Sequence, residues 1–319
     1  MNQRFLNGWI DMNDTDAIEH LQKSGRYRVL ERLNPPARYL DGAPSTARIG
    51  LVVDTETTGI DTARDKIIEL GFVAFSYDAA SGQVYQVLHA YDGFEDPGEP
   101  LSDVVKQLTG ISDAMVAGQH LNDDEITHWL AQADLLIAHN AAFDRQMIER
   151  RFPLVREKNW ACTLMEIDWQ AEGIGSRKLD YIAFCLGYFF DGHRAVIDAQ
   201  ATLHLLTRQL PQSGQRAMQA LLLKAREKSK RFFAIGAPFE MKDQLRQRGY
   251  NWLADAAFTD RSGHVKKGVW SKVVAMTDVA AEELWLGGTV YAGRAVTYSA
   301  REISAQDRYS VREFLPDAG

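Results

Sequence analysis

An unbroken apolar run at residues 49–53 ends directly at two acids, Asp54 and Glu56, in the stretch LVVDTETTGI. A strand that is apolar at every position is buried on both faces. A second run of this kind, ADLLIAHN at residues 133–140, also ends in polar residues. Because helical patterns alternate with these runs, the sequence predicts an α/β fold in which helices pack on a sheet.

Further strands and helices are predicted from periodicity and from residues that favour helix ends. Asn122 is expected to cap the start of one helix, and Gly187 is expected to stop another. The predicted strands are 49–53, 66–77, 84–91 and 133–140, and the predicted helices are 103–108, 122–132, 141–152, 176–187 and 195–210.

The charge of the chain changes near the stretch KAREKSK, residues 224–230. Residues 1–223 hold 20 basic and 31 acidic side chains, a net charge of −11, whereas residues 224–319 hold 16 and 12, a net charge of +4. An acidic body suits metal binding, and a basic module suits contact with a polyanion. Unequal solvation of the two surfaces is an equally good explanation.

We therefore predict three parts: an N-terminal helical extension and linker at 1–47, an α/β domain at 48–223, and a small accessory α+β domain at 224–319. The accessory domain is expected to have strands at 230–239, 264–276 and 289–301 and helices at 240–250 and 278–288. Stacking of its aromatic rings on bases is the alternative to their packing in a core. The predicted aromatic core consists of Phe232, Phe239, Tyr250, Trp252, Trp270 and Trp285.

Cysteine usage and hydropathy predict a cytoplasmic protein without a membrane segment. Cys162 and Cys185 lack the spacing of metal ligands and fit reduced thiols. No apolar run approaches the ~18 residues needed to span a bilayer. The N-terminal segment also has no apolar core of signal-peptide length.

Asp54 and Glu56 are two residues apart, so in an extended segment both carboxylates point to the same face. Two carboxylates on one face repel each other unless a cation lies between them. Mg²⁺ prefers one or two carboxylates together with water and substrate phosphates. The pair therefore predicts either a metal site or an ordinary acidic end of a strand.

Another acid, Asp144, follows the strand at 133–140 and begins a helix. It is expected at the same carboxyl edge of the sheet as Asp54, where ligands of open α/β sheets collect. A favourable interaction with the helix dipole is the alternative explanation for Asp144. His139 and Asn140, just before it, are predicted to be either hydrogen-bonding loop residues or substrate contacts.

A third acid, Asp198, lies early in the last long helix, and His193 lies five residues before it. Carboxylates that hold cations suit metal-assisted hydrolysis when a histidine is close by. With an ordinary pKa of ~6.5, that histidine can take a proton from water. A histidine of an ordinary surface loop is the alternative.

The motifs DTETTG, HNAAFD and HRAVIDA occur in this order along the chain. Together they resemble the three exonuclease motifs of the DEDDh family of 3′→5′ exonucleases. This family includes the proofreading subunit of bacterial replicative DNA polymerase, RNase T and oligoribonuclease. The spacing of His193 and Asp198 is that of the histidine subclass. The resemblance covers roughly residues 48–210 and departs from the family at Leu108, where a non-catalytic histidine is frequent.

The resemblance implies an RNase H-like core with a mixed central sheet and a site for two divalent ions, Mg²⁺ or Mn²⁺. Asp54, Glu56 and Asp198 would hold the first ion. Asp54 would bridge to the second ion, and Asp144 would assist directly or through water. His193 would be the general base.

The resemblance also implies where the 3′ end binds. Thr57, with the neighbouring backbone of Thr58 and Gly59, would contact the terminal sugar and its 3′-OH. Ile60 and Phe143 would pack on the terminal bases, with packing in the protein core as the alternative for both.

The sequence thus predicts a 3′→5′ exonuclease that releases nucleoside 5′-monophosphates from nucleic acid, with single-stranded DNA as the first expectation and RNA as the second. An RNase T-like or oligoribonuclease-like exoribonuclease is one alternative. A nucleic-acid-binding or polymerase-associated module without catalysis is another. All five catalytic positions are filled, which favours an enzyme. A polymerase or a repair protein is the expected protein partner.

Overall fold

A computed structural model of the protein describes residues 14–259, 265–292 and 298–314. These residues contain two larger sheets and one small sheet, with helices packed around them. The strands are β1 (Glu31–Arg32), β2 (Arg48–Thr57), β3 (Ile67–Tyr77), β4 (Val84–Phe94), β5 (Leu135–Ala138), β6 (Trp160–Cys162), β7 (Tyr188–Phe189), β8 (Ser229–Ala234), β9 (Asn251–Thr259), β10 (Val265–Ala275) and β11 (Tyr298–Ile303).

The α-helices are mostly short, and several are joined by 3₁₀ turns. They are α1 (Asp14–Lys23), α2 (Asp103–Thr109), α3 (Asp113–Val116), α4 (Asp123–Gln132), α5 (Ala141–Arg151), α6 (Thr163–Glu166), α7 (Leu179–Cys185), α8 (Ala195–Thr207), α9 (Ala217–Arg226), α10 (Lys242–Gln247) and α11 (Val279–Trp285). In the part of the chain that the structure describes, no helix combines the length and the apolar character needed to cross a membrane.

The main sheet has five strands in the order β4-β3-β2-β5-β6. β2 pairs antiparallel with β3 and parallel with β5, so the sheet is mixed, as predicted. Its inner strands are buried on both faces, because alternate residues of β2 enter two different cores. Val52 packs in the core formed with α7, α8 and α9, whereas Leu51 and Val53 pack in the core formed with α4 and α5.

Several predicted helix ends are confirmed at the residues named. Asn122 caps α4, where its side chain accepts a hydrogen bond from the Glu125 amide. α5 ends at Arg151, two residues before Pro153. Gly187 follows α7 with a φ of 94°. α7 begins at Leu179, later than the predicted 176, because residues 174–178 form a loop.

The second large sheet belongs to the C-terminal part and has the order β11-β8-β10-β9, all antiparallel. α10 and α11 pack on one of its faces through Leu245 and Val279. The prediction missed β9, because its run NWLADAAFT has weak alternation and three alanines. It also missed the three-residue strand β6 and the helix α9, whose sequence follows α8 without a strong helix signal.

Two of the six aromatic residues predicted to form the C-terminal core are exposed, and for them the prediction is wrong. Phe232 and Tyr250 are buried, but Phe239 is 78% exposed and Trp252 is 51% exposed. α10 covers the middle of the sheet, so its core is complete before it reaches the edge strand β9. The remaining two, Trp270 and Trp285, are partly buried against the same core.

From residue 14 onward, the N-terminal extension contains one helix, α1, which has no buried residue. After it, β1 pairs in parallel with β7, and Glu31 lies opposite Tyr188. Gly25 has a φ of 68° just after α1, and residues 26–30 form neither helix nor strand before β1.

Residues 304–314 return from the C-terminal sheet and pack against the main domain. The Ala305 carbonyl accepts a hydrogen bond of 2.9 Å from the Trp160 amide of edge strand β6. The fully buried Arg145 guanidinium of α5 donates to the carbonyls of Gln306 at 2.5 Å and Arg308 at 2.7 Å. Arg308 itself donates to Glu166 at 2.7 Å. These bonds connect the two large sheets through buried charged groups.

Candidate active site

Asp54 and Glu56 lie at the carboxyl end of β2 on the same face of the sheet as Val52. Glu56 lies opposite Glu69 of β3, and Asp54 lies opposite Gly71. Beyond Glu56 the register between β2 and β3 shifts, and the strand ends at Thr57. The alternation of the strand therefore presents both acids to one side, as predicted.

The start of α8 lies directly against β3 because residue 71 is a glycine. A Cβ atom at Gly71 would lie 2.1 Å from the Val196 amide nitrogen and 2.3 Å from the Ala195 carbonyl carbon. Any side chain there would push the helix away from the sheet. This close approach brings Asp198, in the first turn of α8, to the face that carries Asp54 and Glu56.

Asp54, Glu56 and Asp198 converge so that one carboxylate oxygen from each lies within 4.8 Å of the other two. Asp144 reaches the site from the other side of β2, on the first turn of α5. Its Oδ1 atom accepts hydrogen bonds from the Thr55 amide at 3.1 Å and the Thr55 hydroxyl at 2.9 Å. The structure thus brings all four predicted acids to one edge of the sheet and places Asp144 beside the group of three.

The four carboxyls share a site in which burial and mutual repulsion disfavour their charged forms. Burial, followed by repulsion from the neighbouring acids, holds the pKa of Asp54 well above its usual range. Burial likewise raises the pKa of Glu56 to about 8, of Asp144 to about 7 and of Asp198 to about 6. A hard divalent cation prefers carboxylate oxygens as ligands. Here several such oxygens lie close together with little positive charge between them. The residues therefore fit Mg²⁺ or Mn²⁺.

His193 lies in the loop before α8, is exposed, and has a left-handed backbone with a φ of 65°. In the same loop, the Arg194 amide donates to Asp198 Oδ2 at 3.2 Å. The His193 main chain and the Asp198 carboxylate are therefore held together. His193 is not part of the three-acid group, and its side chain is exposed to solvent.

Sequence reasoning missed Glu69, which is fully buried on β3 behind the acids. Its Oε1 atom accepts hydrogen bonds from Arg194 Nε at 2.9 Å and Nη2 at 2.7 Å, and its Oε2 atom accepts one from the Ala195 amide at 3.1 Å. A single acid in the apolar strand IIELGFVAFSY was the available signal, because such a residue needs a partner inside the protein.

The loop after β2 forms one rim of the site. The Thr57 hydroxyl donates to the Gly59 carbonyl at 2.5 Å, and the Thr58 hydroxyl donates to Asp65 at 2.9 Å. The loop is therefore held by its own hydrogen bonds. Ile60 stands at its tip and is 91% exposed, so it does not pack in the core.

The other rim is formed by the start of α5. Asn140 is exposed and Phe143 is half-buried beside the core. His139, in contrast, uses both ring nitrogens within the protein, Nδ1 with the Thr163 hydroxyl and Nε2 with the Arg177 carbonyl, each at 2.8 Å. Burial also lowers the pKa of His139. This geometry favours the hydrogen-bonding alternative for His139 over a substrate contact.

A cleft of about 490 Å³ begins beside Asn140 and runs between the two large sheets. Ala142, Gln146 and Met165 line its main-domain side. Its other side is lined by β8, β10 and β11 of the C-terminal sheet, and Val273 of β10 is one of the lining residues.

Comparison with known proteins points to one class of enzyme. Residues 51–206 match the Exonuclease (RNase_T) family. The chain is 30% identical over 175 residues to the PolC-type DNA polymerase III of Halalkalibacterium halodurans, an alignment that spans 52% of this chain and 12% of the polymerase. It is 32% identical over 162 residues to the corresponding polymerase of Listeria innocua, spanning 48% of this chain and 11% of that one. The chain thus spans about a tenth of the length of the curated relatives it matches.

Similar solved structures include exonuclease X in complex with 5′-overhanging duplex DNA, at 25% identity and a TM-score of 0.40, covering 55% of this chain and 99% of that one. Another is E. coli exonuclease I in complex with a dA16 oligonucleotide, at 15% identity and a TM-score of 0.45, covering 71% and 63%. The family match, the PolC-type relatives and the three motifs in order agree on the same segment. Residues 51–206 therefore form a domain of the Exonuclease (RNase_T) type, the segment that also carries the three motifs.

Proposed function

We propose that this chain is a metal-dependent 3′→5′ exonuclease that removes nucleoside 5′-monophosphates from the 3′ end of single-stranded DNA. The observation that carries the proposal is the convergence of Asp54, Glu56 and Asp198 within 4.8 Å, with buried Asp144 beside them. A protein that bound nucleic acid without catalysis would gain nothing from four acids, because these acids repel one another and also repel the phosphates of the nucleic acid.

Two divalent cations, Mg²⁺ or Mn²⁺, would supply charge stabilisation at the scissile phosphate and a more acidic water. Asp54, Glu56 and Asp198 would hold the first ion, and Asp54 would also contact the second. Asp144 would assist directly or through water. Its Oδ1 atom is held by Thr55, so its Oδ2 atom is the one available for that role.

His193 is the proposed general base, which takes the proton of the attacking water on a ring nitrogen. An exposed imidazole on a loop anchored at Arg194 can approach the site and then release its proton to solvent. Thr57, Thr58 and Gly59 would contact the terminal sugar through their loop. Ile60 and Phe143 would pack against the terminal bases from the two rims, which suits recognition without sequence preference.

DNA is the favoured substrate because the curated relatives are DNA polymerases that the chain matches over about half its length. A polymerase or a repair protein is the corresponding proposed partner. An RNase T-like activity on RNA is the second candidate, since the motif residues do not separate the two sugars. We further propose that residues 224–319 form an accessory unit that contributes to binding nucleic acid.

The test is digestion of matched DNA and RNA oligonucleotides, single- and double-stranded, with Mg²⁺ or Mn²⁺. Asp54→Asn and His193→Ala should abolish digestion, whereas Asp41→Asn, which changes an exposed surface carboxylate, should not. A 3′-phosphorylated strand should resist. Undiminished activity in Asp54→Asn or His193→Ala would contradict the assigned roles, and equal cleavage of the blocked strand would indicate an endonuclease.

A further inference from the structure

Two tryptophans lie side by side at the edge of the C-terminal sheet. Trp252 of β9 lies directly opposite Trp270 of β10, with ring centroids 5.5 Å apart and ring planes at 63°. Trp252 is half exposed although it was predicted to be part of the core. The exposed part of a large aromatic ring does not stabilise the fold unless another molecule or segment covers it.

The Trp252 ring is held in place by a glycine on the neighbouring strand. Gly268 has a φ of 85° and lies where the register of β9 and β10 shifts, between Lys267 and Val269. A Cβ atom there would lie 2.1 Å from Cζ2 of Trp252. The ring therefore lies directly on the backbone of β10, and its outer face is presented to solvent in a fixed orientation.

Helix α10 places cations beside these rings. The Arg246 guanidinium lies 5.9 Å from the Trp270 ring centroid. One turn earlier, Lys242 Nζ lies 4.5 Å from the ring centroid of Phe239, the other exposed aromatic residue of this module. Arg246 lies 3.8 Å from Asp243, its one acidic neighbour among the described residues, and both side chains are mostly exposed. Three rings and two cations thus form one surface, the aromatic platform: Phe239, Lys242, Arg246, Trp252 and Trp270.

We propose that the aromatic platform binds single-stranded nucleic acid, with bases stacked on Trp252 and Phe239 and phosphates near Arg246 and Lys242. This inference rests on the proposed function in that the bound strand is the substrate. Stacking on aromatic rings combined with basic side chains is how proteins hold single strands without reading their sequence. The fixed Trp252 ring reduces the ordering cost of binding.

A nucleic acid fits this surface better than a protein partner does. The two cations lie beside the rings, and residues 224–319 carry 16 basic and 12 acidic side chains, so a polyanion is attracted to this part of the chain. Phe232, Leu245 and Tyr250 are buried together in the core of the module, and Trp270 packs against them, whereas Phe239 and Trp252 lie outside this core.

The platform and the cleft lie on opposite faces of the C-terminal sheet. Trp270 pairs with Ala234 on the face covered by α10, whereas Val273 and Arg231, which line the cleft, stand at alternate positions on the other face. Only a strand that extends well beyond the active site can therefore reach the platform. This predicts that the platform contributes to the binding of long strands and leaves the hydrolysis of very short substrates unchanged.

The experiment compares the full-length protein with its Trp252→Ala variant in two assays. In the first, fluorescence anisotropy measures binding of a long oligothymidylate with EDTA present, so that no digestion occurs. Loss of one stacking partner should weaken this binding roughly fivefold or more. In the second, hydrolysis of the p-nitrophenyl ester of thymidine 5′-monophosphate with Mn²⁺ reports chemistry alone and should not change.

Leu284→Ala is the matched control, because Leu284 is an apolar residue of the same module that is even more exposed than Trp252 but has no ring. It should bind the long strand like the wild type. A second variant, Lys242→Glu with Arg246→Glu, changes one half-buried and one exposed residue of α10 and keeps the test valid if Trp252→Ala fails to fold. It should weaken binding, and it should reduce the slope of log K against log salt concentration by about 1.4.

The two hypotheses fail in different ways. If both variants bind the long strand as tightly as the wild type, the platform does not bind nucleic acid. If the wild type and the variants all hydrolyse the ester in that case, the exonuclease proposal stays in place. If the wild type binds the strand through the platform but hydrolyses neither the ester nor any oligonucleotide, the exonuclease proposal fails and the binding surface stands.

Discussion

The Glu69 carboxylate holds the Arg194 guanidinium through two hydrogen bonds, 2.9 and 2.7 Å long, immediately behind the acids of the site. Arg194 is the residue between His193 and α8, so this ion pair fixes the loop that carries the proposed base. The same Glu69 accepts the Ala195 amide and thereby anchors the start of the helix that carries Asp198.

We expect Glu69→Gln to lower kcat about 10- to 100-fold with little change in KM, since it weakens the positioning of His193 and Asp198 without touching the rims. Steady-state kinetics on a single-stranded oligonucleotide measures this. The matched control is Glu95→Gln, which removes the partner of another arginine, Arg151, away from the four acids. Equal losses of kcat in the two variants would show that the effect is one of general stability.

Replacement of His193 should separate strain from chemistry. A left-handed non-glycine residue costs of order 1 kcal/mol, which His193→Gly relieves and His193→Ala keeps. Both variants should lose activity by about 10² to 10⁴-fold, the usual contribution of a general base. Thermal unfolding should rank His193→Gly above His193→Ala. The assignment of His193 would be wrong if either variant kept wild-type kcat.

Divalent cations should stabilise the fold through the carboxylate site. Asp54, Glu56 and Asp198 repel one another when no cation lies between them, so binding of Mg²⁺ to the native state raises the free energy of unfolding. The rise is about 2.7 kcal/mol when the free ion is at 100 times its dissociation constant. In Asp54→Asn, we expect a higher Tm than the wild type without the ion and a smaller increase with it. Calorimetry with and without Mg²⁺ checks both, and an identical increase in the two proteins would contradict the site.

The free energy of unfolding should decrease as the pH is lowered, because His204, a histidine outside the carboxylate site, takes up a proton more readily in the unfolded chain. Burial, with a smaller contribution from Arg208, lowers the pKa of His204 to about 4, and its Nδ1 atom has no hydrogen-bond partner among the described residues. In the unfolded chain its pKa is ~6.5, so between these values the unfolded state binds more protons. The free energy of unfolding therefore decreases as pH falls from about 6.5 to about 4.

His204→Gln isolates this effect, because glutamine does not titrate. The difference between wild type and variant should be constant above pH ~6.5 and should shift in favour of the variant at lower pH. Urea unfolding at a series of pH values measures it. A difference that stays constant down to pH ~4 would mean that His204 is not responsible.

The buried pair of Arg308 and Glu166 should be expensive to break. Arg308→Ala leaves a buried carboxylate unpaired, and such losses cost about 3–5 kcal/mol. Lys228→Ala removes an ion pair with Glu302 that is largely in solvent, and should cost at most about 1 kcal/mol. Urea unfolding of both variants tests the contrast, and similar costs would indicate that residues 304–314 contribute little to stability.

The sequence predicted four of the five strands of the main sheet and placed the four acids at its edge, because strands that are apolar throughout, and acids at their ends, are local signals. It did not predict how the acids are held together. Gly71 allows α8 to approach β3, Glu69 binds Arg194, and Thr55 fixes Asp144, and each of these depends on contacts between residues far apart in the chain.

The C-terminal sheet was predicted less completely for the same reason. In a sequence, a tryptophan predicts burial because its side chain is large and apolar. Only the pairing of β9 with β10 reveals that Trp252 lies on Gly268 with one face in solvent. The two histidines beside acids show the other limit. His139 and His193 have similar sequence surroundings, yet one has both ring nitrogens bonded within the protein and the other is exposed.

The acceptors of Arg145 have a consequence for the order of events during synthesis. The helices and strands of the main domain have all been made once residue 226 is complete, yet two acceptors of the buried guanidinium of α5 lie at Gln306 and Arg308. A ribosome makes about 5–20 residues per second, so for several seconds this guanidinium, although paired with Glu149, would lack these two acceptors, and the edge at β6 would be uncovered. A segment that is made after the C-terminal sheet therefore completes the first domain.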